Sequence, residues 1–372
     1  MALTAELLLN GLLGSTTPLK HKGLASTRTT QFQRIKLSTQ ISSIAKSMQQ
    51  MLDTRIITHE EKERTRPKRG LVHQHKTTRL RVAYQGIPGA YSQVAAKLAC
   101  LDCTTISCKF ILDAVEAVMT GQADRVIVPV ENTMEGEKVR NYNLLLEHGL
   151  YITQEINLFV NYCLVANPGV KKEDVKKVIS HPVALAHCGQ GLARLGLDAP
   201  QEAVDDTAGA VELLLSQNML DTAAIASTQA AKLYGLQVLA QGVQNEPWNV
   251  TRFLILSKNL DTVSRIEGTR KTSMVIAHQG GLQPLFRVLS AFSSRSINLT
   301  KLKIKNSMRK PIKISDPKEG GTVKEFQHAF FVDLEGSIDD QKVLDAMMEI
   351  SVFSPFIRVM GCYAADTKIY DL

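Results

Sequence analysis

The sequence predicts an α/β fold in two lobes with a small ferredoxin-like domain after them, and three observations carry that expectation. From Leu80 onward, short apolar runs alternate with stretches of helical period, the pattern of strands joined by helices. A long extended pass from Tyr151 to Val165 interrupts the alternation before a second set of strand-helix units begins, which suggests two lobes. Beyond the polar, charged stretch 258–270 the order of elements becomes βαββαβ, the ferredoxin-like arrangement.

In chain order, Leu80–Tyr84 reads as a strand, Tyr91–Ala99 and Leu112–Met119 as helices, Arg125–Val130 as a strand and Asn141–His148 as a helix. After the extended pass, Lys177–Ser180 begins a new strand. Helices at Ala184–Leu195 and Ala208–Leu215 flank another strand near Glu202–Val204, and the alternation argues for an α/β domain with parallel strands. In the last domain Ser273–Ala277 is a strand, Gly280-Gly281 a turn, Leu285–Phe292 a helix and Leu299–Ile304 a second strand. Phe330–Leu334 continues the sheet, Gln341–Ser351 is a helix and Phe356–Tyr363 closes it.

A chain of 372 residues with 44% hydrophobic content suits two domains and a tail, and no apolar run reaches the length of a membrane span. Its net charge of +8 belongs to the tail. Residues 1–80 hold 14 Lys and Arg against 5 Asp and Glu, so the other 292 carry 30 against 31 and are close to neutral. A nucleic-acid-binding domain would carry its Lys and Arg on folded elements, so no nucleic-acid partner is expected. Met1–Gln50 is rich in Ser and Thr, contains Lys20, Lys22, Arg28, Arg34, Lys36 and Lys46, and has Glu6 as its only acid, the composition of an organelle transit peptide. Six dispersed cysteines describe neither a disulfide scaffold nor a zinc site: Cys100, Cys103 and Cys108 lack a second ligand pair at zinc-finger spacing.

In open α/β lobes, ligands bind beyond the carboxyl ends of the strands, where loops turn into helices. Four polar loops stand there: 85–92 (QGIPGAYS), Glu131-Asn132-Thr133, Ser180-His181-Pro182 and Asp205-Asp206-Thr207-Ala208. The first has two glycines and a proline before a helix, so backbone N–H groups can face an anion. Asp206 reads first as a helix N-cap, and Thr207 caps or reaches a ligand. Ser180 and His181 are adjacent on a strand and point to opposite faces, which argues against a hydrolytic dyad. Asn249-Val250-Thr251-Arg252-Phe253 opens an apolar strand with a hydroxyl beside a guanidinium. Thr251 suits hydrogen bonding to a leaving oxygen, and Arg252 suits clamping a carboxylate through its planar fork.

Residues 80–365 resemble the plant arogenate and prephenate dehydratases. The resemblance rests on AYQGIPGAYS at 83–92, VPVEN at 128–132, RNY at 140–142, ISHP at 179–182, DDTAGA at 205–210, AAIAS at 223–227 and NVTRF at 249–253. It implies a basic transit peptide and linker over 1–78, a two-lobed, periplasmic-binding-protein-like catalytic domain over 80–258 and a regulatory ACT domain over 272–365. The implied reaction is a hydro-lyase step, L-arogenate to L-phenylalanine or prephenate to phenylpyruvate, with loss of water and carbon dioxide. Thr251, Arg252 and Thr207 are the implied catalytic residues, and Asn132, Thr133, Ser92 and Phe253 the substrate-binding ones. No metal or organic cofactor is implied. A phenylalanine effector at Gly281 and Leu282, a homo-oligomer and the chloroplast stroma are.

The chain departs from the family pattern at several places. Thr133-Met134-Glu135-Gly136-Glu137-Lys138 stands where Ser-x-Gly-Gly-Ser is usual, which sets Glu135 in place of a glycine and Glu137 in place of a hydroxyl. Val183 and His187 replace glutamines, Trp248 replaces a small serine, and Lys303-Ile304-Lys305-Asn306 replaces the effector motif Glu-Ser-Arg-Pro, which argues against phenylalanine feedback. The active enzyme is the first reading of this pattern. A weakened or inactive relative that acts as a regulatory or ligand-binding subunit is the second.

Overall fold

The computed structural model describes residues 79–135, 141–259, 268–307, 310–316 and 321–371. The transit-peptide expectation, Glu137, Lys138 and Arg140 lie outside them. Gln74–Leu372 is one compact unit. No described helix is long and apolar enough to cross a membrane.

The first lobe runs β1 (Arg81–Gln85), α1 (Tyr91–Ala99), β2 (Thr104–Cys108), α2 (Ile111–Met119), β3 (Arg125–Asn132), α3 (Tyr142–His148) and β4 (Tyr151–Phe159). The second holds β5 (Cys163–Ala166), β6 (Lys177–Ser180), α4 (Pro182–Arg194), β7 (Gln201–Ala203), α5 (Thr207–Ser216), β8 (Thr222–Ala226), α6 (Thr228–Tyr234) and β9 (Gln237–Gln241). The chain then returns to the first lobe as β10 (Val250–Ser257). Two segments thus join the lobes, and Asn249 ties one to the other: its O accepts from Val160 N at 2.7 Å and its Nδ2 donates to Val160 O at 2.9 Å.

Both sheets are mixed, which corrects the expectation of parallel strands. In the first, β1 runs parallel to β2 and β3, but β10 is antiparallel to both β3 and β4. In the second, β6 is parallel to β7 and β8, while β5 is antiparallel to β8 and β9. The crossings between lobes cause this, because a strand that returns from the other lobe enters from the opposite end. As a result the first residues of β10 lie beside the last residues of β3, at the carboxyl edge of the parallel strands.

The last domain comprises β11 (Arg270–His278), α7 (Gln283–Ser293), β12 (Leu299–Asn306), a hairpin of β13 (Ile312–Asp316) and β14 (Thr322–Phe326), β15 (His328–Glu335), α8 (Gln341–Ser351) and β16 (Phe356–Ala364). Its sheet order, β12-β15-β11-β16, is the ferredoxin-like one. One face is covered by α7 and α8, through Val288, Ala291, Phe292, Val343, Ala346 and Ile350. The other packs on the first lobe, where Val275, Ala277, Ala329 and Phe331 share a core with Leu144, Leu145, Leu146 and Ile152. Gly361 of β16 is in direct contact with β4, since a Cβ there would overlap the Ile152 carbonyl oxygen. Finally β17 (Ile369–Tyr370) pairs in parallel with β4 and extends the first sheet.

Candidate active site

Pro129 shapes the site. Proline has no N–H to give to a sheet ladder, and β3 bulges here: opposite β10, Arg252 pairs with Glu131 and the next residue, Phe253, with Pro129, which leaves Val130 extra. The bulge sets Thr251 opposite Asn132 and Arg252 opposite Glu131. Directly opposed residues share a face of the sheet and successive residues do not. Thr251 and Asn132 therefore face one side, Arg252 and Glu131 the other.

On the first side, every hydrogen-bonding position of the Asn132 amide is filled. Its Oδ1 accepts from Met134 N at 2.8 Å and Glu135 N at 3.1 Å, which fixes the orientation of the amide. Its Nδ2 donates to Asn249 Oδ1 and to Thr251 Oγ1, both at 2.9 Å. Thr251 Oγ1 is thus an acceptor from within the protein, and its own proton has no acceptor among the described residues. Asn132 orients Thr251 and has no capacity left for a ligand. Thr133 is likewise committed, since its hydroxyl donates to Trp248 O and accepts from Val250 N, both at 2.9 Å, fastening the start of β10.

On the second side, Arg252 is not a free clamp, which corrects the sequence expectation. Its guanidinium, 11% exposed, meets Glu155 at 2.7 Å, Asp333 at 2.9 Å and Glu131 at 3.3 Å. It also donates to the Tyr142 hydroxyl at 3.2 Å and the Tyr363 hydroxyl at 3.1 Å. Burial alone would lower its pKa, but Tyr363, Tyr142, Asp333 and Glu155 hold it above the ordinary guanidinium value. Lys271 adds a 2.6 Å contact to Glu155, and Lys301 an ion pair to Glu131. Burial pushes the Lys301 ammonium down to about 8, against the pull of Asp333. Glu131, Glu155, Arg252, Lys271, Lys301 and Asp333 line a cavity of about 540 Å³ between the first lobe and β12, at whose wall Asn132 and Thr133 also stand. Each of its three cations already has a carboxylate partner in the chain.

The remaining candidates divide in the same way. Phe253 is 2% exposed and packs with Val94, Ala208 and Ile255, so it belongs to the core and cannot line a cleft. Ser92, in the first turn of α1, and Thr207, the first residue of α5, are half-buried on loops that meet. At Gly86, with φ +111°, a Cβ would collide with the Asp206 carboxylate, and at Gly89, with φ +94°, with the backbone of Ala230. Gly89 O also accepts from Ser227 Oγ at 3.0 Å. Asp206 caps α5 through Ala208 N at 2.7 Å, as its sequence context predicts. Ser180 and His181 are engaged apart, Ser180 Oγ with Ile225 O and His181 as the cap of α4.

Of the departures, Trp248 is 66% exposed and packs edge-on against Phe159, so its ring is not part of the buried core. Val183 lies in the first turn of α4, and the buried His187 ring stands 6.2 Å from Tyr162. Burial pushes the Tyr162 hydroxyl up, and the Glu135 charge adds to that shift. The Glu135 backbone is not among the positive-φ residues, so the glycine usual there is not required for conformation. Gly281 and Leu282 form the turn before α7, and Leu282 is 44% exposed. They sit at the same end of the sheet as Asn306, which pairs with His328 as His278 does.

Sequence reasoning missed Asn249, Glu155 and Asp333. Two signals were present. Glu155 and Asp333 are single charges inside apolar strand runs, which calls for a buried partner. The alternation that separates Ser180 from His181 also separates Thr251 from Arg252.

The prephenate dehydratase family model matches residues 82–261. The chain is 47% identical over 287 residues to a chloroplastic arogenate dehydratase/prephenate dehydratase 6 of Arabidopsis thaliana, covering 77% of this chain and 69% of that protein. It is 47% identical to arogenate dehydratase 1 of Petunia hybrida, covering 77% and 67%. Among solved structures, a prephenate dehydratase from Arthrobacter aurescens in complex with L-Phe superposes with a TM-score of 0.65 at 27% identity, over 77% of this chain and 90% of that one. A protein described as a novel type of quorum quenching acylase superposes with a TM-score of 0.66 at 30% identity, over 77% and 98%. On that identity over that length, the chain belongs to the arogenate/prephenate dehydratase family.

Proposed function

We propose that this chain is an arogenate dehydratase, a hydro-lyase that converts L-arogenate to L-phenylalanine with loss of water and carbon dioxide. The observation that carries the reading is the Thr251 hydroxyl, whose oxygen accepts from Asn132 so that its proton is left for donation. As carbon dioxide leaves the ring carboxylate, its bonding electrons complete the aromatic ring and the ring C–O bond breaks. Aromatisation drives this strongly, so the protein has mainly to orient the substrate and help the hydroxide leave as water. Thr251 donates its hydrogen bond to that departing oxygen, and a proton from solvent converts the released hydroxide to water. Ser92 and Thr207 line the cleft from the two lobes. With Arg252 committed elsewhere, the substrate's negative charge falls to the backbone N–H groups at the start of α1, whose N-cap Ala90 has no side chain to cap them.

Prephenate is the second substrate. Relatives named chloroplastic and the acid-poor, basic N-terminal segment support a plastid, and within it the stroma. The relative solved with L-Phe supports phenylalanine as an effector, and the family resemblance supports a site for it near Gly281 and Leu282. The edge position of β12 supports sheet-to-sheet pairing into a homo-oligomer. The purified full chain, incubated with arogenate or prephenate, should release phenylalanine or phenylpyruvate, and Thr251→Ala should lower kcat by about 100-fold or more. Binding of arogenate with no turnover above the Thr251→Ala background would instead identify a regulatory relative.

A further inference from the structure

Arg252 is held by two domains at once. Glu131 and Glu155 come from the first lobe, and Asp333 comes from the middle of the ferredoxin-like sheet, 3% exposed. Asp333 is itself fixed, since its Oδ1 accepts from Ser273 Oγ at 2.6 Å and Ser273 bonds the Tyr363 hydroxyl at 2.7 Å, which in turn accepts from Arg252. Arg252 follows Thr251 directly on β10, and the two make consecutive pairs with β3, Thr251 with Asn132 and Arg252 with Glu131. The guanidinium is therefore anchored to the same stretch of β10 that carries the Asn132–Thr251 hydrogen bond.

We propose that Asp333 is a positioning residue for the dehydration: by holding Arg252 from the opposite domain, it sets the register and direction of the Thr251 hydroxyl. It rests on the dehydratase reading. The ferredoxin-like sheet is then part of the catalytic geometry, one residue away from the reacting group. Removal of the Asp333 charge leaves a buried guanidinium short of one carboxylate, and a buried ion that loses a partner moves toward water or toward its remaining partners. Either movement disturbs β10 at its first residues, where the hydroxyl stands.

The test uses the full chain with Asp333→Asn and Asp333→Glu, assayed with arogenate, and reads kcat and KM separately. Asp333→Asn keeps the size of the side chain and its bond to Ser273 but not its charge. A fall in kcat of about threefold or more in the folded variant, with KM within about threefold of the parent, supports the proposal. A smaller fall, or a loss confined to KM, overturns it, since a residue that only stabilises the fold would lower the melting temperature and leave kcat per folded molecule unchanged. If Asp333→Asn fails to fold, Asp333→Glu decides by the same criterion, because it keeps the charge and displaces it by one methylene. Hydrogen exchange at the Thr251 and Arg252 amides provides a readout independent of turnover. Faster exchange in Asp333→Asn supports the proposal and unchanged exchange overturns it. An inactive parent chain would overturn the dehydratase reading alone and leave the exchange measurement to judge Asp333.

Discussion

Thr251 and Arg252 are covalent neighbours that serve different environments, because successive strand residues point to opposite faces. The direction of the Thr251 hydroxyl follows from a chain of single-residue facts. Two backbone N–H groups fix the Asn132 amide, the amide presents Nδ2, and Thr251 must accept. Asn132→Asp tests that chain. The carboxylate would accept where the amide donates, so the Thr251 proton would turn inward, and kcat should fall about 100-fold, the effect of losing one oriented donor. A kcat within about threefold of the parent would contradict it. Glu135 offers a second test, since its backbone is one that any residue adopts and its side chain brings a negative charge where a glycine is usual in the family pattern. A like charge ~8 Å from the dicarboxylate at an effective dielectric near 40 costs about 1 kcal/mol. Glu135→Gly should then lower the KM for arogenate about fivefold, and an unchanged KM would show that the repulsion is absent.

At the scale of elements, the site depends on two irregularities. The first is the bulge at Pro129, without which Asn132 would not stand opposite Thr251. The second is the contact of β16 with β4 at Gly361, which brings the ferredoxin-like sheet close enough for Asp333 to reach Arg252. Gly361→Ala places a methyl group against the Ile152 carbonyl, and overpacking of this kind costs about 1–3 kcal/mol. The melting temperature should fall by several degrees, checked by calorimetry, and an unchanged value would mean that the two strands separate freely. Strong local signals made most elements legible: α8 begins and ends where its periodicity predicts, at Gln341 and Ser351. The elements not read were β2, β8, β9, α6, the β13–β14 hairpin and β17. Thr222–Ala226 is rich in alanine and becomes a strand only because β5 and β6 flank it in a buried sheet. Lys313, Asp316, Lys324 and Glu325 made the hairpin look like loop, although Ile312, Ile314 and Phe326 seal the core beside α3.

At the scale of the molecule, β4 and β10, which lead into and out of the two crossings between lobes, are adjacent strands of one sheet, so the Thr251 hydroxyl stands on a paired strand beside the crossings and not on a loop. The ferredoxin-like domain bears on the same strand from behind. Its edge strand β12 carries Lys303 and Lys305, which by the sequence resemblance stand where the family pattern has the Glu and Arg of the effector motif. Lys305 Nζ donates to Asn143 Oδ1 at 2.7 Å, tying the strand to α3. Loss of one charge-assisted contact to an amino-acid effector is worth about 1.4 kcal/mol, or tenfold in affinity. Phenylalanine should therefore half-inhibit this chain only at a concentration about tenfold or more above that needed for a relative with Glu-Ser-Arg-Pro. Equal sensitivity in parallel assays would show that the effector is met elsewhere.

The sequence by itself determined the α/β alternation, the ferredoxin-like order, the cap at Asp206, the position of Thr251 at the mouth of a strand and the family resemblance. All of these are written in local periodicity, capping residues and short motifs. Only the tertiary structure decided that Arg252 faces a second domain, that Phe253 is core, that Asn132 and Thr133 spend their polar atoms on the chain itself, and that β10 runs antiparallel. The reason is physical. A residue's type and its neighbours in sequence specify what it can bond to, but the face on which it finds a partner depends on which distant strand lies opposite, and here Pro129 and Asp333 supply that answer from 123 residues before Arg252 and 81 after it.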